Sequence, residues 1–237
     1  MPGVRCGVLG IGGARARTGL TKWSKEKALG RIREVGLIPI VRAPSAEVAM
    51  AAAEAIVESG VGILEITMTV PSALSVLREV ARRFDGRALI GAGTVLDAKT
   101  CRRAIARGAE FIVTPALVLP VIRQARRLKR ACIPGALTPT EILMAWRAGA
   151  DLVKVFPCGP VGGPAYIKAI RGPLPDIPLV PTGGVTVETV PAFMRAGAAA
   201  VAVGGELVDV KALAAGRVET VTENARKFLE AVRTGRL

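Results

Sequence analysis

From Leu37 onward the chain alternates short apolar runs with longer amphipathic stretches rich in alanine and arginine. The runs are LIPIVR (37–42), GILEIT (62–67), ALIGAGT (88–94) and FIVTP (111–115). They continue as ACIPGAL (131–137), LVKVFP (152–157), LVPTGG (179–184) and AVAVGGEL (200–207). Each is bounded by Gly, Pro or a charge, as expected of a strand buried on both faces. The junctions repeat as well. Gly60, Gly108, Gly149 and Gly197 each stand just before an apolar run, where glycine closes a helix and turns the chain. A further helix over 24–35 precedes the first run and ends at Gly36. Eight strand–helix units without a second kind of segment predict an α/β fold, a (β/α)8 TIM barrel with an extra N-terminal helix. An open doubly wound sheet would have fewer strands and a switch point.

Residues 1–22 break the pattern. They carry Arg5, Arg15 and Arg17, no acid and no amphipathic period. A secretory signal would set its charges before the apolar stretch, whereas Arg15 and Arg17 follow it. Gly10 and Gly12 begin a dinucleotide fingerprint, but Arg15 stands where its third glycine belongs. The expectation is a flexible basic N-terminal extension over 1–22 and one barrel domain over 23–237. A single domain also suits the length of 237 residues, enough to bury a large core.

Composition then removes whole classes of chemistry. With no histidine, neither a catalytic triad nor an imidazole metal site can be built. Cys6, Cys101, Cys132 and Cys158 show no C-x-x-C spacing, so no metal and no cofactor is expected. Scattered cysteines fit free thiols in a reducing cytoplasm. The formal charge of +14 invites a nucleic-acid reading. It is spread over many segments, however, and one tyrosine, two tryptophans and five phenylalanines are too few for base stacking. No stretch of about 18 uncharged apolar residues exists to span a membrane.

In a barrel, reactive side chains sit late in the strands and face inward. Every lysine but one falls in a helix or a connection. The exception, Lys154, lies inside LVKVFP, where alternation turns Leu152, Lys154 and Phe156 one way and Val153 and Val155 the other. A lysine facing the barrel interior loses hydration, its pKa falls, and its free amine can attack a ketone. A buried salt bridge explains the same placement. Glu65, inside GILEIT, faces inward with Ile63 and Thr67, and a buried carboxylate needs a partner such as Lys154 or Arg42. Amine and carboxylate together are the minimum set for Schiff-base chemistry. Thr182, Gly183 and Gly184 end the seventh run and Gly204 and Gly205 the eighth, where glycine lets backbone N–H groups approach an anion. Thr94, after the glycines of GAGT, offers a hydroxyl to a substrate carboxylate.

The strings IPIVR, LEITMT, GAGTV, FIVTP, IPGALTPTE, LVKVFP, PTGGV and VGGELV stand in this order over 37–208. In them the chain resembles class I 2-keto-3-deoxy-6-phosphogluconate (KDPG) / 4-hydroxy-2-oxoglutarate (KHG) aldolases. The resemblance implies Lys154 as Schiff-base lysine, Glu65 as general acid/base, and Thr94, Pro115 and Phe156 around pyruvate. It also implies Thr182, Gly183 and Gly184 on the substrate's far side, a homotrimer, and a small 2-keto-3-deoxy (phospho)sugar acid or 4-hydroxy-2-oxoglutarate as substrate. Two positions depart from the pattern. Thr69 stands where many members carry a substrate-binding arginine, which leaves Arg42 as carboxylate clamp. Glu206 stands where many carry a phosphate-binding serine, and a glutamate repels phosphate if it faces the site. The competing readings are another phosphate-binding barrel isomerase or synthase and a non-catalytic anion-binding barrel.

Overall fold

The computed structural model describes residues 23–237; the extension expected over 1–22 lies outside them. Helix α1 (Lys25–Val35) begins where the Ser24 hydroxyl accepts from the Lys27 N–H at 3.2 Å, and it buries Ala28, Ile32 and Val35. It stops at Gly36, whose φ of 71° is left-handed, a conformation glycine adopts without a Cβ penalty. The Arg236 guanidinium closes this end, donating to the carbonyls of Arg33 and Glu34 at 2.5 Å each.

Each apolar run forms a strand: β1 (Leu37–Val41), β2 (Ile63–Thr67), β3 (Leu89–Gly93) and β4 (Phe111–Val113). The fifth run gives two short strands, β5 (Ala131–Ile133) and β6 (Gly135–Ala136), and then follow β7 (Val153–Val155), β8 (Leu179–Pro181) and β9 (Val201–Val203). Every residue in these strands is buried. The split in the fifth run falls at Pro134, which has no N–H to give to a ladder.

All pairings are parallel. One sheet has the order β5-β4-β3-β2-β1-β9 and the other β6-β7-β8. A parallel bridge between Thr182 and Ala202 links β8 to β9. The result is an α/β fold with a curled parallel sheet, in which consecutive strands lie side by side except at β5 and β6, which fall in separate sheets.

The connecting helices are α2 (Ala46–Glu58), α3 (Ala73–Arg83), α4 (Ala98–Ala106), α5 (Leu119–Arg127), α6 (Pro139–Arg147), α7 (Gly163–Arg171), α8 (Val190–Arg195), α9 (Val210–Ala214) and α10 (Glu219–Arg236). Side-chain caps fix where several start. Ser45 accepts from Val48 N–H, Asp97 from Thr100 N–H, and Thr138 forms a reciprocal capping box with Glu141, each satisfying donors that a helix start leaves free. These caps set the strand-to-helix loops that carry the site. Helix α10 packs along α8 and α2, covering the outer layer near β1. Among the described residues no helix is long and apolar enough to cross a membrane.

Candidate active site

Lys154 sits at the centre of β7, paired with Gly135 on one side and Val180 on the other. Val153 and Val155 are wholly buried against the helices, while Lys154 is 7 % exposed and its Nζ lies 5.0 Å from the centre of the Phe156 ring. Burial lowers the Lys154 pKa below its ordinary value and Arg42 adds to the fall, while Glu65 opposes it. The amine is thus shifted toward the neutral, nucleophilic form.

Glu65 lies in β2 between Ile40 of β1 and Gly91 of β3, 1 % exposed. Burial raises its pKa, and Lys154 and then Arg42 pull it back. Lys154 and Glu65 make no direct ion pair in the structure, and Oε2 of Glu65 has no hydrogen-bond partner. Buried polar atoms are rarely left so. The carboxylate fits only because residue 93 is glycine: a Cβ there would lie 1.6 Å from Oε1 of Glu65. Gly91 is needed for the same kind of reason, since its Cβ would meet the Phe111 ring at 2.2 Å. The two glycines of GAGT are therefore space for other side chains.

Above the lysine opens a cavity of ≈ 320 Å³, the size of a small-molecule site. Arg42, Thr94, Pro115 and Phe156 border it around Lys154. Thr94 holds a left-handed φ of 54°, a strained conformation for a residue with a β-branch. The loops after β8 and β9 supply Thr182, Gly183, Gly184, Gly204, Gly205 and Glu206. Arg42 and Glu206 are exposed at this mouth, and neither forms an ion pair with another described residue.

Thr69 falls outside this group. Its hydroxyl is 2.9 Å from that of Thr67, which donates to the Val41 carbonyl at 3.1 Å. Its side chain borders a more open groove of ≈ 550 Å³ beside Leu96 and Asp97. Thr94 borders both spaces. Sequence reasoning missed Ile40, Val185, Ala202 and Val203, which also line the lysine's cavity. Ile40 was readable, since alternation in IPIVR puts it on the face of Arg42. The role of Gly93 was not, because nothing in the string says which side chain fills the missing Cβ.

Cys101, Cys132 and Cys158 are buried free thiols whose pKa values burial pushes up, which makes them poor nucleophiles. Among the described residues no three cysteine or acidic side chains cluster as metal ligands.

The model of the KDPG and KHG aldolase family matches residues 29–224. The 2-dehydro-3-deoxy-phosphogluconate aldolase of Pseudomonas aeruginosa is 35% identical over 162 residues, 68% of this chain and 73% of the relative. The KDPG aldolase of Legionella pneumophila, solved with pyruvate captured as a covalent carbinolamine intermediate, superposes with a TM-score of 0.78 at 26% identity, over 84% of this chain and 96% of that one. A cube-shaped protein cage designed by fusing symmetric oligomeric domains also superposes with a TM-score of 0.78, at 33% identity, over 85% of this chain and 73% of that one. With the family model spanning strands β1 to β9 and the lysine and glutamate inside that span, this chain belongs to the KDPG and KHG aldolase family.

Proposed function

We propose that the protein is a class I aldolase that splits a 2-keto-4-hydroxy acid into pyruvate and an aldehyde, with Lys154 as the Schiff-base residue and Glu65 as the proton carrier. The observation that carries this reading is a buried lysine in the cavity wall, electrostatically coupled to a buried Glu65 that keeps one partnerless carboxylate oxygen and is not itself among the residues bordering the cavity. The Lys154 amine attacks the C2 ketone, and loss of water gives an imine. Glu65 moves those protons and then takes the C4 hydroxyl proton as the C3–C4 bond breaks. The electron pair enters an enamine, with the iminium as sink. Protonation of C3 and hydrolysis release pyruvate and regenerate the amine.

Arg42 pairs with the C1 carboxylate, a planar fork suited to it. Thr94, Pro115 and Phe156 enclose the pyruvate part, and Thr182, Gly183, Gly184, Gly204 and Gly205 receive the far part. KDPG, giving pyruvate and glyceraldehyde 3-phosphate, and KHG, giving pyruvate and glyoxylate, are the reactions that the family's description suggests.

In the same reading the two sheets are arcs of one (β/α)8 barrel over residues 23–237. The Thr182–Ala202 bridge and the single residue between β5 and β6 support closure, and α1 is the extra N-terminal helix. Residues 1–22 are a basic extension. The active form is a homotrimer; the likeness to a cage built from symmetric oligomeric domains supports an oligomer, and light scattering during size-exclusion chromatography tests the number of subunits. Three buried free thiols fit a reducing cytoplasm.

Borohydride reduction in the presence of pyruvate tests the chemistry. It should fix pyruvate to Lys154 as a stable secondary amine, located by peptide mass mapping, and Lys154→Ala should lose both the adduct and turnover. An unmodified Lys154 would overturn the reading.

A further inference from the structure

We propose that Glu206 makes this enzyme select substrates whose far end is an uncharged polyol, namely a 2-keto-3-deoxy sugar acid without a phosphate. The proposal rests on the aldolase reading above and deepens it. It changes only the far end of the substrate, so the bond changes are the same: C3–C4 breaks, the C4 hydroxyl proton goes to Glu65, and the aldehyde leaves as a neutral hydroxyaldehyde.

Glu206 stands on the rim of the cavity that contains Lys154. The turn after β9 keeps it there. The N–H groups of Leu207 and Val208 donate to the Gly204 carbonyl at 3.0 and 2.8 Å, and both of those side chains are buried. Asn224 holds the turn from outside, its Nδ2 donating to the Leu207 carbonyl at 3.4 Å. Between this buried pair and Gly205, Glu206 is the side chain left at the opening.

Charge balance then decides which ligand fits. Arg42 and Lys154 are the cationic side chains bordering the cavity, and Glu206 is the acid. Lys154 becomes the covalent link. A phosphorylated keto acid brings about three negative charges, one carboxylate and a phosphate near −2, to a mouth bordered by Arg42 and by the opposite charge of Glu206. An unphosphorylated keto acid brings a single carboxylate, which Arg42 matches. Its hydroxyls can donate to the Glu206 carboxylate, a charge-assisted bond. Backbone N–H groups of the glycine loops alone would have to hold a phosphate one residue from a carboxylate. The net charge of +14 offsets little of this, since charges beyond about 8–10 Å are screened at ordinary ionic strength.

The test compares 2-keto-3-deoxygluconate with its 6-phosphate, two substrates with one carbon skeleton, by pyruvate release in the wild type, Glu206→Gln and Glu206→Lys. The wild type should prefer the unphosphorylated acid in kcat/KM by about tenfold or more, given what like charges cost when juxtaposed. Glu206→Gln should raise kcat/KM for the 6-phosphate by about tenfold and Glu206→Lys by more, with the gain shrinking as salt rises. A wild-type preference for the 6-phosphate, or a ratio that Glu206→Gln leaves unchanged, would overturn the proposal. Borohydride trapping uses pyruvate alone and never fills the far end. An adduct on Lys154 with the wrong preference therefore sinks only the Glu206 proposal, whereas no adduct and no turnover sink the aldolase reading beneath it.

Discussion

Two glutamates lie buried in one sheet, on β2 and just before β4 with only β3 between them, and they are provided for differently. Glu65, in β2, and Glu110, just before β4, are both pushed up in pKa by burial, Glu110 to about 7. Glu110 is satisfied by backbone: the Ile90 N–H donates to it at 3.4 Å, the Trp23 backbone adds a second bond, and Arg130 attracts it against the repulsion of Asp85. Glu65 feels the charges of Lys154 and Arg42 and keeps one oxygen with no partner among the described residues. Burial alone therefore does not mark a reactive carboxylate. What separates the two is an oxygen with no hydrogen-bond partner, the open capacity that the proposed role of Glu65 as proton carrier requires.

The sharpest break of this comparison is Glu65→Gln. It should lower kcat by about 10²–10⁴, the share that general acid–base catalysis supplies, measured as pyruvate release. Next comes Gly93→Ala. Its Cβ would overlap Oε1 of Glu65, and displacing a catalytic group by about 1 Å costs on the order of 10² in rate. Lys154 should still be labelled by pyruvate and borohydride in this variant, which separates a moved carboxylate from a collapsed fold. Arg42→Ala should act mainly on KM, raising it about tenfold, because a clamp on a non-reacting carboxylate is used equally in ground and transition states.

Glu110→Gln should have the smallest effect, leaving kcat and KM unchanged and altering only stability. Its folded pKa of about 7 is above the ordinary 4.5. The carboxyl's contribution is therefore fully present below about 4.5 and is lost as pH rises through about 7. Urea unfolding across that window should show the wild type losing stability relative to Glu110→Gln. Glu65→Gln should drift in the same direction, since its pKa is also raised. The two variants would then share a stability signature and part on activity. Loss of activity in Glu110→Gln would erase the distinction between the two glutamates.

Much of this was legible in the chain. The eight apolar runs are strands because a strand of a curled parallel sheet, covered by helices on one face and turned to the sheet's interior on the other, must be apolar on both. Against that background a lone lysine or glutamate is conspicuous, and Lys154 and Glu65 were found by that contrast. Contacts made across strands were less readable. That Glu110 is buried was hidden by its place in a junction, RGAE, which reads as a turn. Thr69 shares a string with Glu65 yet opens onto a different groove, because the chain leaves the strand after Thr67 and alternation no longer applies. Pro134 broke the fifth strand for a reason visible in the sequence, its missing N–H. The long α10 and the guanidinium of Arg236 closing α1 depend on which ends of the chain meet, and no local pattern encodes that.

The glycines around the far end of the cavity differ in how much change they tolerate. A Cβ on Gly184 would lie 2.8 Å from the Gly159 Cα, and one on Gly159 would lie 2.9 Å from the Gly184 Cα. The loops after β7 and β8 thus touch backbone to backbone, and neither residue can gain a side chain unless the other loop moves. Gly204 and Gly205, by contrast, face open space, with nothing within 4 Å of an added Cβ. One rim of the mouth is locked in pairs, and the other can be rewritten one residue at a time. A lineage changing the substrate it accepts would meet the least resistance in the turn after β9, where Glu206 already stands.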